Sequence, residues 1–265
     1  MAMLRYTILG CGSSGGVPRL GGLWGACDPS NPKNLRRRCS MLVERIDGEN
    51  VTRVLIDTSP DMRAQLLDAG IGHLDGVIFT HDHADHMHGI DDLRMIVFNR
   101  KSRLPVWADT RTADGLLARF GYAFIQPPGS MYPPILELNA ITDSTEITGE
   151  GGTIRFEPFE VKHGRIDALG FRIGDLAYLP DAEEIYDAGW AKLDNLKVWV
   201  VDALRYKPHS SHAHLARTLE WIERAKPERA IITNMHIDLD YETLNGETPE
   251  HVIPAFDGMK IDIEA

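Results

Sequence analysis

Histidine and aspartate side chains are concentrated in one short stretch of the chain, Thr80–His86, with the sequence THDHADH. It directly follows the apolar run Gly76–Phe79, which is β-branched and aromatic and therefore predicts a short buried strand. In an extended chain, side chains two residues apart point to the same side, so His81, His83 and Asp85 can converge, and the last histidine follows where the chain turns into a helix. Three imidazoles and one carboxylate form a ligand set suited to Zn, Mn or Fe. This spacing favours a metal site over a solvated loop at a strand end.

Three more candidate metal ligands follow strand-like runs in the second half of the chain. His163 closes one run, Asp181 comes directly after a second, and His236 lies shortly after the run Ile231–Thr233. Each of them alone is typical of an ordinary loop residue. A site for two metal ions needs more ligands than Thr80–His86 supplies, so distant segments must contribute.

The pattern His81-x-His83-x-Asp85-His86 resembles the signature motif of the metallo-β-lactamase superfamily, which supplies ligands to both ions of a two-metal hydrolase site. The resemblance implies an α/β fold, the four-layer αββα sandwich, with the metals at one edge of the paired sheets. In the superfamily a Thr-His pair usually follows the last strand, where this chain has Thr233-Asn234, so Asn234 is the alternative to His236 as a ligand. The ligand set that the resemblance implies is one metal held by His81, His83 and His163, the other held by Asp85, His86 and His236, and Asp181 bridging the two.

Four segments narrow the resemblance: Gly10–Pro18, Thr80–Arg94, His209–His212 and Asp238–Tyr241. Together they look similar to the PhnP-like phosphodiesterases, which hydrolyse cyclic ribose phosphates, and the similarity covers most of the chain. The sequence departs from the PhnP-like pattern at one site. PhnP-like enzymes often hold a structural zinc with closely spaced cysteines, whereas this chain has only Cys27 in the corresponding loop. One cysteine cannot complete a tetrahedral site, so we expect no structural zinc.

Four residues are candidates for contact with the substrate or the attacking water. Asp85 can orient the attacking water, and the family resemblance places His212 over the scissile phosphate, where it can stabilise charge or protonate the leaving group. Ser13 and Ser14 lie in the glycine-rich loop Gly10–Pro18, which can bind phosphate through backbone N–H groups. The same loop is equally consistent with a tight turn that needs positive φ angles.

Strands alternate with a few helices along the chain and position these residues. This order is typical of two sheets with helices at their ends, in one domain over 1–265. The segment 124–134 is rich in proline and either covers the active site or connects two elements at the surface. Ser210 or Ser211 is the predicted N-cap of an amphipathic helix near Leu215. The predicted strands are Leu4–Leu9, Cys39–Arg45, Val51–Asp57, Gly76–Phe79, Leu104–Ala108, Thr153–Phe159, Ala168–Ile173, Leu176–Leu179, Val198–Val201 and Ala230–Thr233, and the predicted helices include Gly89–Arg100 and Thr112–Tyr122.

Composition and charge argue against several classes of protein. The 265 residues carry 39 acidic and 28 basic side chains, a net charge of −11, which disfavours a surface that binds nucleic acid throughout, although Arg36–Arg38 is a local basic patch. Three cysteines are too few for a disulfide framework, which predicts a reducing cytoplasm. The N-terminus lacks the features of a secretory signal, and no run approaches the ~18 apolar residues of a membrane helix.

The sequence therefore predicts a cytoplasmic, metal-dependent hydrolase with two divalent ions, Mn or Zn, acting as a phosphodiesterase on a small cyclic ribose phosphate or nucleotide. A homodimer is the default association state. Three alternatives stay open. The first is a tRNA 3′-processing nuclease, which is disfavoured by the acidic charge and the lack of a long basic arm. The second is a thiolesterase or lactamase that uses the same metals. The third is a ligand-binding protein on a hydrolase fold that has lost its activity, for which Asn234 is the hint.

Overall fold

The computed structural model describes residues 2–265 and contains both sheets and helices over that range. The strands are β1 (Met3–Gly10), β2 (Ser40–Asp47), β3 (Asn50–Ile56), β4 (Gly76–Ile78), β5 (Leu104–Ala108), β6 (Leu136–Ala140), β7 (Thr145–Gly149), β8 (Gly152–His163), β9 (Ile166–Ile173), β10 (Leu176–Leu179), β11 (Glu184–Ile185), β12 (Val198–Asp202), β13 (Arg229–Thr233), β14 (Val252–Pro254) and β15 (Met259–Glu264). The helices are α1 (Met62–Ala69), α2 (Ala84–Met87), α3 (Leu93–Arg100), α4 (Thr110–Phe124), α5 (Asp187–Trp190), α6 (Leu215–Ala225) and α7 (Tyr241–Glu247).

The chain divides into two compact units. The first comprises the residues up to Leu9, Ser40–Arg155 and Lys260–Ala265, and the second comprises Gly10–Cys39 and Phe156–Met259. The prediction of a single domain over 1–265 stays a prediction.

The first unit is built on a sheet with the strand order β15-β1-β2-β3-β4-β5-β6. Strands β2 and β3 form an antiparallel hairpin, and β3 to β6 run parallel. The carboxyl ends of parallel strands share one edge of a sheet, so Asp57 after β3 and the histidine motif after β4 reach the same edge. Helices α1, α3 and α4 contribute Leu66, Leu93 and Leu116 to a buried core that also contains Val77 of β4.

The second unit is built on a sheet with the order β11-β8-β9-β10-β12-β13-β14. Strands β8, β9 and β10 are antiparallel, whereas β10, β12, β13 and β14 are parallel. In the parallel part, Leu179 aligns with Val201 and Val201 aligns with Ile232. This register brings Asp181 and Asp202, at the ends of β10 and β12, to the same edge as the end of β13.

Every predicted strand is present, but two local predictions about helices differ from the structure. The segment Gly89–Arg100 is divided into a 3-10 turn over Ile90–Asp92 and the helix α3. Helix α6 begins at Leu215 with His214 as its N-cap, so neither predicted serine caps it. The predicted cap is wrong because the chain before Leu215 is an irregular loop rather than the first turn of the helix.

The predicted basic patch at Arg36–Arg38 loses one member in the structure, because Arg36 is buried whereas Arg37 and Arg38 are half-buried. Arg36 is only 1% exposed, and its guanidinium donates a hydrogen bond to Asn34 Oδ1 at 3.1 Å. Its charge is therefore used inside the second unit and is not presented to a partner.

The proline-rich segment after α4 packs at the surface of the first unit. Together with Arg94, Phe98 and Tyr122 it lines a cavity of about 440 Å³, and its Met131 is 92% exposed. These contacts agree with the alternative that the segment connects two elements. Among the helices formed by residues 2–265, none is both long and apolar enough to cross a membrane.

Candidate metal centre

The histidine motif of the first unit brings its ligand side chains together. The rings of His81 and His83 have centroids 4.6 Å apart, and those of His81 and His86 are 4.2 Å apart. His86 Nε2 lies 3.6 Å from Asp85 Oδ2. The backbone conformation that brings Asp85 to this position differs from the predicted one. Helix α2 begins at Ala84, so Asp85 lies in its first turn rather than in extended chain.

The buried carboxylate of Asp57, directly after β3, holds His86 directly and His81 through the Thr80 hydroxyl. Asp57 Oδ2 accepts hydrogen bonds from His86 Nδ1 at 2.8 Å and from the Thr80 hydroxyl at 2.7 Å, and Oδ1 accepts from the Thr80 backbone N–H at 2.8 Å. The Thr80 hydroxyl lies 2.9 Å from His81 Nδ1 and can accept its proton. Burial raises the pKa of Asp57 above its ordinary value, and His86 opposes that shift. With Nδ1 of both histidines so engaged, Nε2 is the atom that would bind a metal.

Asp82, the one acidic residue of the motif that is not a candidate ligand, anchors the motif to α4. Its carboxylate oxygens lie 3.4 Å from Arg111 Nε and 3.4 Å from Arg119 Nη2. Arg119 also donates to the Asp82 backbone carbonyl at 2.5 Å. A β-carbon on Gly115 would lie 3.0 Å from the Asp82 side chain, so a glycine in α4 permits this close approach.

The second unit brings two further candidate ligands together. His163 Nε2 lies 3.6 Å from Asp181 Oδ2, and both side chains are almost completely buried. His163 Nδ1 donates to the backbone carbonyl of Ser211 at 2.6 Å, which again makes Nε2 the metal-binding nitrogen. Neutral imidazoles with Nδ1 held by oxygen and a buried carboxylate are the donor set that divalent cations use. The residues present therefore fit a divalent metal.

His212 lies beside this pair and is held by a carboxylate that the sequence analysis missed. Its Nδ1 is 3.0 Å from Asp202 Oδ2 and 3.8 Å from Asp181 Oδ2. Asp202 is fully buried and also accepts from the Ala182 backbone N–H at 3.0 Å. Burial raises the pKa of Asp202, and His212 opposes that shift. The sequence signal is weak, since Asp202 ends an apolar strand but a single aspartate without a neighbouring motif is not diagnostic.

The two candidates for the seventh ligand take different positions. Asn234 has a φ of 59°, so the chain turns there and the extended-chain argument for His236 does not apply. The Asn234 amide donates to Asp202 Oδ1 at 3.2 Å and lies 3.1 Å from His212 Nδ1. His236 instead contacts the Arg19 guanidinium through Nε2, and its Nδ1 lies 3.1 Å from Asp238 Oδ1. The choice of His236 as a ligand stays a prediction.

Comparison with known proteins decides the family. The sequence model described as "Beta-lactamase superfamily domain" matches residues 52–237. A solved structure described as a new diphosphatase from the PhnP family is 34% identical, with 99% of this chain and 98% of that chain covered and a TM-score of 0.87.

The chain belongs to the PhnP family of the metallo-β-lactamase superfamily. The predicted fold class, α/β with the four-layer αββα sandwich, is thereby confirmed. An octanoyltransferase of Porphyromonas gingivalis is 34% identical over 98% of this PhnP-family chain, which spans only about half (52%) of that curated relative. The short form of human tRNase Z is 16% identical, with 97% of this chain and 98% of that chain covered and a TM-score of 0.66, which shows the fold alone.

Cys27, the cysteine on which the expectation of no structural zinc rests, contacts backbone carbonyls in this PhnP-family protein. Cys27 Sγ lies 3.5 Å from the backbone carbonyls of Ile237 and Leu239, and the buried Arg36 guanidinium lies 3.9 Å away. Burial raises the pKa of the Cys27 thiol, which disfavours the thiolate that zinc requires. The expectation of no structural zinc stays a prediction.

Proposed function

We propose that this PhnP-family protein is a metal-dependent hydrolase that cleaves a phosphodiester or diphosphate bond in a small phosphorylated compound. Cyclic ribose phosphates and nucleotides are the first substrates to test. The observation that carries the proposal is the position of His212, beside Asp181 and held by the buried Asp202. An alkoxide leaving group benefits from a proton at this position, whereas a thiolate needs one less because thiols ionise near pH ~8.5.

The proposed ligand set supports two ions, manganese or zinc. Each histidine in it is assigned to bind through Nε2 where its Nδ1 is held by oxygen. Two bound divalent ions would neutralise the phosphate and activate water for in-line displacement. The proposed ligands are His81, His83 and His163 for one ion, Asp85 and His86 for the other, and Asp181 between them. His236, predicted as the seventh ligand, instead contacts Arg19 and Asp238.

The remaining groups act on water and on the leaving group. Asp85, in the first turn of α2, is proposed to orient the attacking water. His212 holds its Nδ1 against Asp202, so its Nε2 is the atom that gives a proton to the departing oxygen. Ser13 and Ser14 are proposed to contact the substrate through the glycine-rich loop.

The competing functions have different support. Similarity to human tRNase Z shows the fold alone, and the net charge of −11 disfavours binding of a long polyanion. Hydrolysis of an acyl thioester is a second candidate function, because one relative is named an octanoyltransferase. This chain spans only about half of that relative. We place the protein in the cytoplasm because Cys11, Cys27 and Cys39 are all buried free thiols. A homodimer remains the default expectation.

The test is a substrate panel on protein whose metal content has been measured. It compares a cyclic ribose phosphate, cyclic nucleotides, a nucleoside diphosphate, an aryl phosphodiester, precursor tRNA and an octanoyl thioester. We expect turnover of at least one small phosphodiester or diphosphate, lost on chelation and restored by Mn²⁺ or Zn²⁺. Turnover of the thioester alone would support the acyl alternative, and binding without turnover of any substrate would support the non-enzyme.

A further inference from the structure

We propose that the turn Ser13–Gly16, Arg19 and His236 form an anion site that holds the distal, non-scissile phosphate of a diphosphate substrate. This inference rests on the proposed function, since it assigns a substrate class to the same site. All of its residues belong to the second unit.

The glycine-rich loop presents two unused backbone donors. Its turn is closed by the hydrogen bond from Gly16 N–H to the Ser13 carbonyl at 2.8 Å, and Gly16 has a φ of 62°. The N–H groups of Ser14 and Gly15, at the centre of the turn, donate to no acceptor within residues 2–265. Both residues are exposed. Successive N–H groups in a turn of this kind form a concave nest that binds anions.

Arg19 adds a fixed positive charge to this turn. A β-carbon on Gly15 would lie 3.1 Å from Arg19 Nε, so the guanidinium is beside the two unused donors. Arg19 Nη2 contacts His236 Nε2, and His236 Nδ1 faces Asp238 Oδ1 at 3.1 Å. Asp238 and His236 thereby orient Arg19, and a guanidinium remains charged at every physiological pH.

The turn is tied by backbone hydrogen bonds to the segment that carries Asn234. Ser13 N–H donates to the Met235 carbonyl at 3.2 Å, and the Asn234 side chain lies 3.1 Å from His212. His236 N–H donates to the Leu204 carbonyl at 2.9 Å, next to Arg205. Two residues span at most about 7 Å of chain, so His236 lies within that distance of Asn234, which contacts His212.

Charged side chains of both signs lie near His236. Arg19 and Arg205 are positive, and Asp238 is negative. The chain as a whole carries a net charge of −11. A cationic site on an acidic protein concentrates small anions locally. Asp238, which faces His236 Nδ1, is 44% exposed, so solvent screens its negative charge.

The first measurement is binding of inorganic pyrophosphate and inorganic phosphate to metal-free protein by calorimetry. The variants are Arg19→Ala and Ser14→Pro, which removes one N–H at a turn position that accepts proline. The control is Arg217→Ala, because Arg217 is an exposed arginine of α6 and its replacement changes the charge equally. We expect Arg19→Ala to weaken pyrophosphate binding about 10–100-fold, the loss typical of one charge-assisted hydrogen bond, and Arg217→Ala to change it less than about twofold.

The second measurement is the ratio of kcat/KM for a nucleoside diphosphate to kcat/KM for an aryl phosphodiester. In Arg19→Ala we expect this ratio to fall about 10–100-fold, mainly through KM for the diphosphate. Equal loss for both substrates, or pyrophosphate binding unchanged in Arg19→Ala and Ser14→Pro, overturns the anion site. No binding by wild-type protein at millimolar pyrophosphate also overturns it. If wild-type protein binds pyrophosphate but hydrolyses neither substrate, the anion site stands and the proposed function fails.

Discussion

Replacing Asp202 by asparagine tests how the protein holds His212. Asp202 Oδ2 accepts from the Ala182 N–H at 3.0 Å and lies 3.0 Å from His212 Nδ1, while Oδ1 accepts from the Asn234 amide at 3.2 Å. Three donors therefore converge on one buried carboxylate. In Asp202→Asn one acceptor oxygen becomes an NH₂ donor, so at least one of the three donors faces another donor. In either orientation of the amide, His212 loses the negative charge that stabilises its protonated ring.

The expected loss of rate follows from what His212 supplies. A positioned general acid contributes about 10²–10⁴-fold to kcat, and Asp202 acts only through His212, so this range is the upper limit for Asp202→Asn. We expect a fall of about 10²-fold or more. The folding cost is smaller, because an unsatisfied buried donor costs about 1–3 kcal/mol against a typical total of about 5–15 kcal/mol. The variant should therefore fold and bind metal.

The assay measures kcat on aryl phosphodiesters of graded leaving-group pKa, together with metal content and thermal unfolding. Asp175→Asn is the matched control, since Asp175 pairs with Lys197 at the surface at 2.8 Å and loses the same charge. The double variant Asp202→Asn/His212→Ala should be no slower than His212→Ala, because the two residues act as one unit. Additive losses, or a near-normal rate in Asp202→Asn with full metal content, would refute the positioning role.

The remaining predictions concern His212, the metals and the fold. His212→Ala should keep its metal and lower kcat about 10²–10⁴-fold, less for good leaving groups; loss of metal would make His212 a ligand. Elemental analysis should find two metal ions per chain. The variant Asp181→Ala should lose at least one of these ions and all turnover. If the variant keeps its full metal content and a normal rate, Asp181 is not a metal ligand. Gly89→Ala places a β-carbon 2.0 Å from the Ser59 carbonyl and should cost about 1–3 kcal/mol in thermal unfolding, whereas Gly246→Ala, with no atom within 4 Å, should cost nothing.

The sequence by itself determined the features that depend on neighbours along the chain. The candidate ligands of the histidine motif lie within six residues of one another and directly after an apolar strand, so their spacing alone singles them out as a proposed metal site. Strands such as β5 and β10 were predictable because their apolar runs are bounded by polar residues. Asp181 could be proposed as a ligand because it follows such a run and because the family resemblance implies that role.

Only the tertiary structure decided which single residues meet. Asp57 and Asp202 each end an apolar strand without a motif around them, and the register of parallel strands brings them to His86 and His212. Sequence periodicity describes which face a side chain takes, but it carries no information about which strand pairs with which. Local backbone geometry in the loops could not be predicted from the sequence either.

The positive φ of Asn234 turns the chain away from the direction that extended alternation assigns to His236. That turn places His236 against Arg19, which is 217 residues distant in the sequence. Arg36 shows the same limit, because three consecutive arginines are typical of a charged surface until the fold surrounds one of them. The physical reason is common to these residues: long-range pairing and loop geometry depend on how the whole chain packs, and local residue order does not encode them separately.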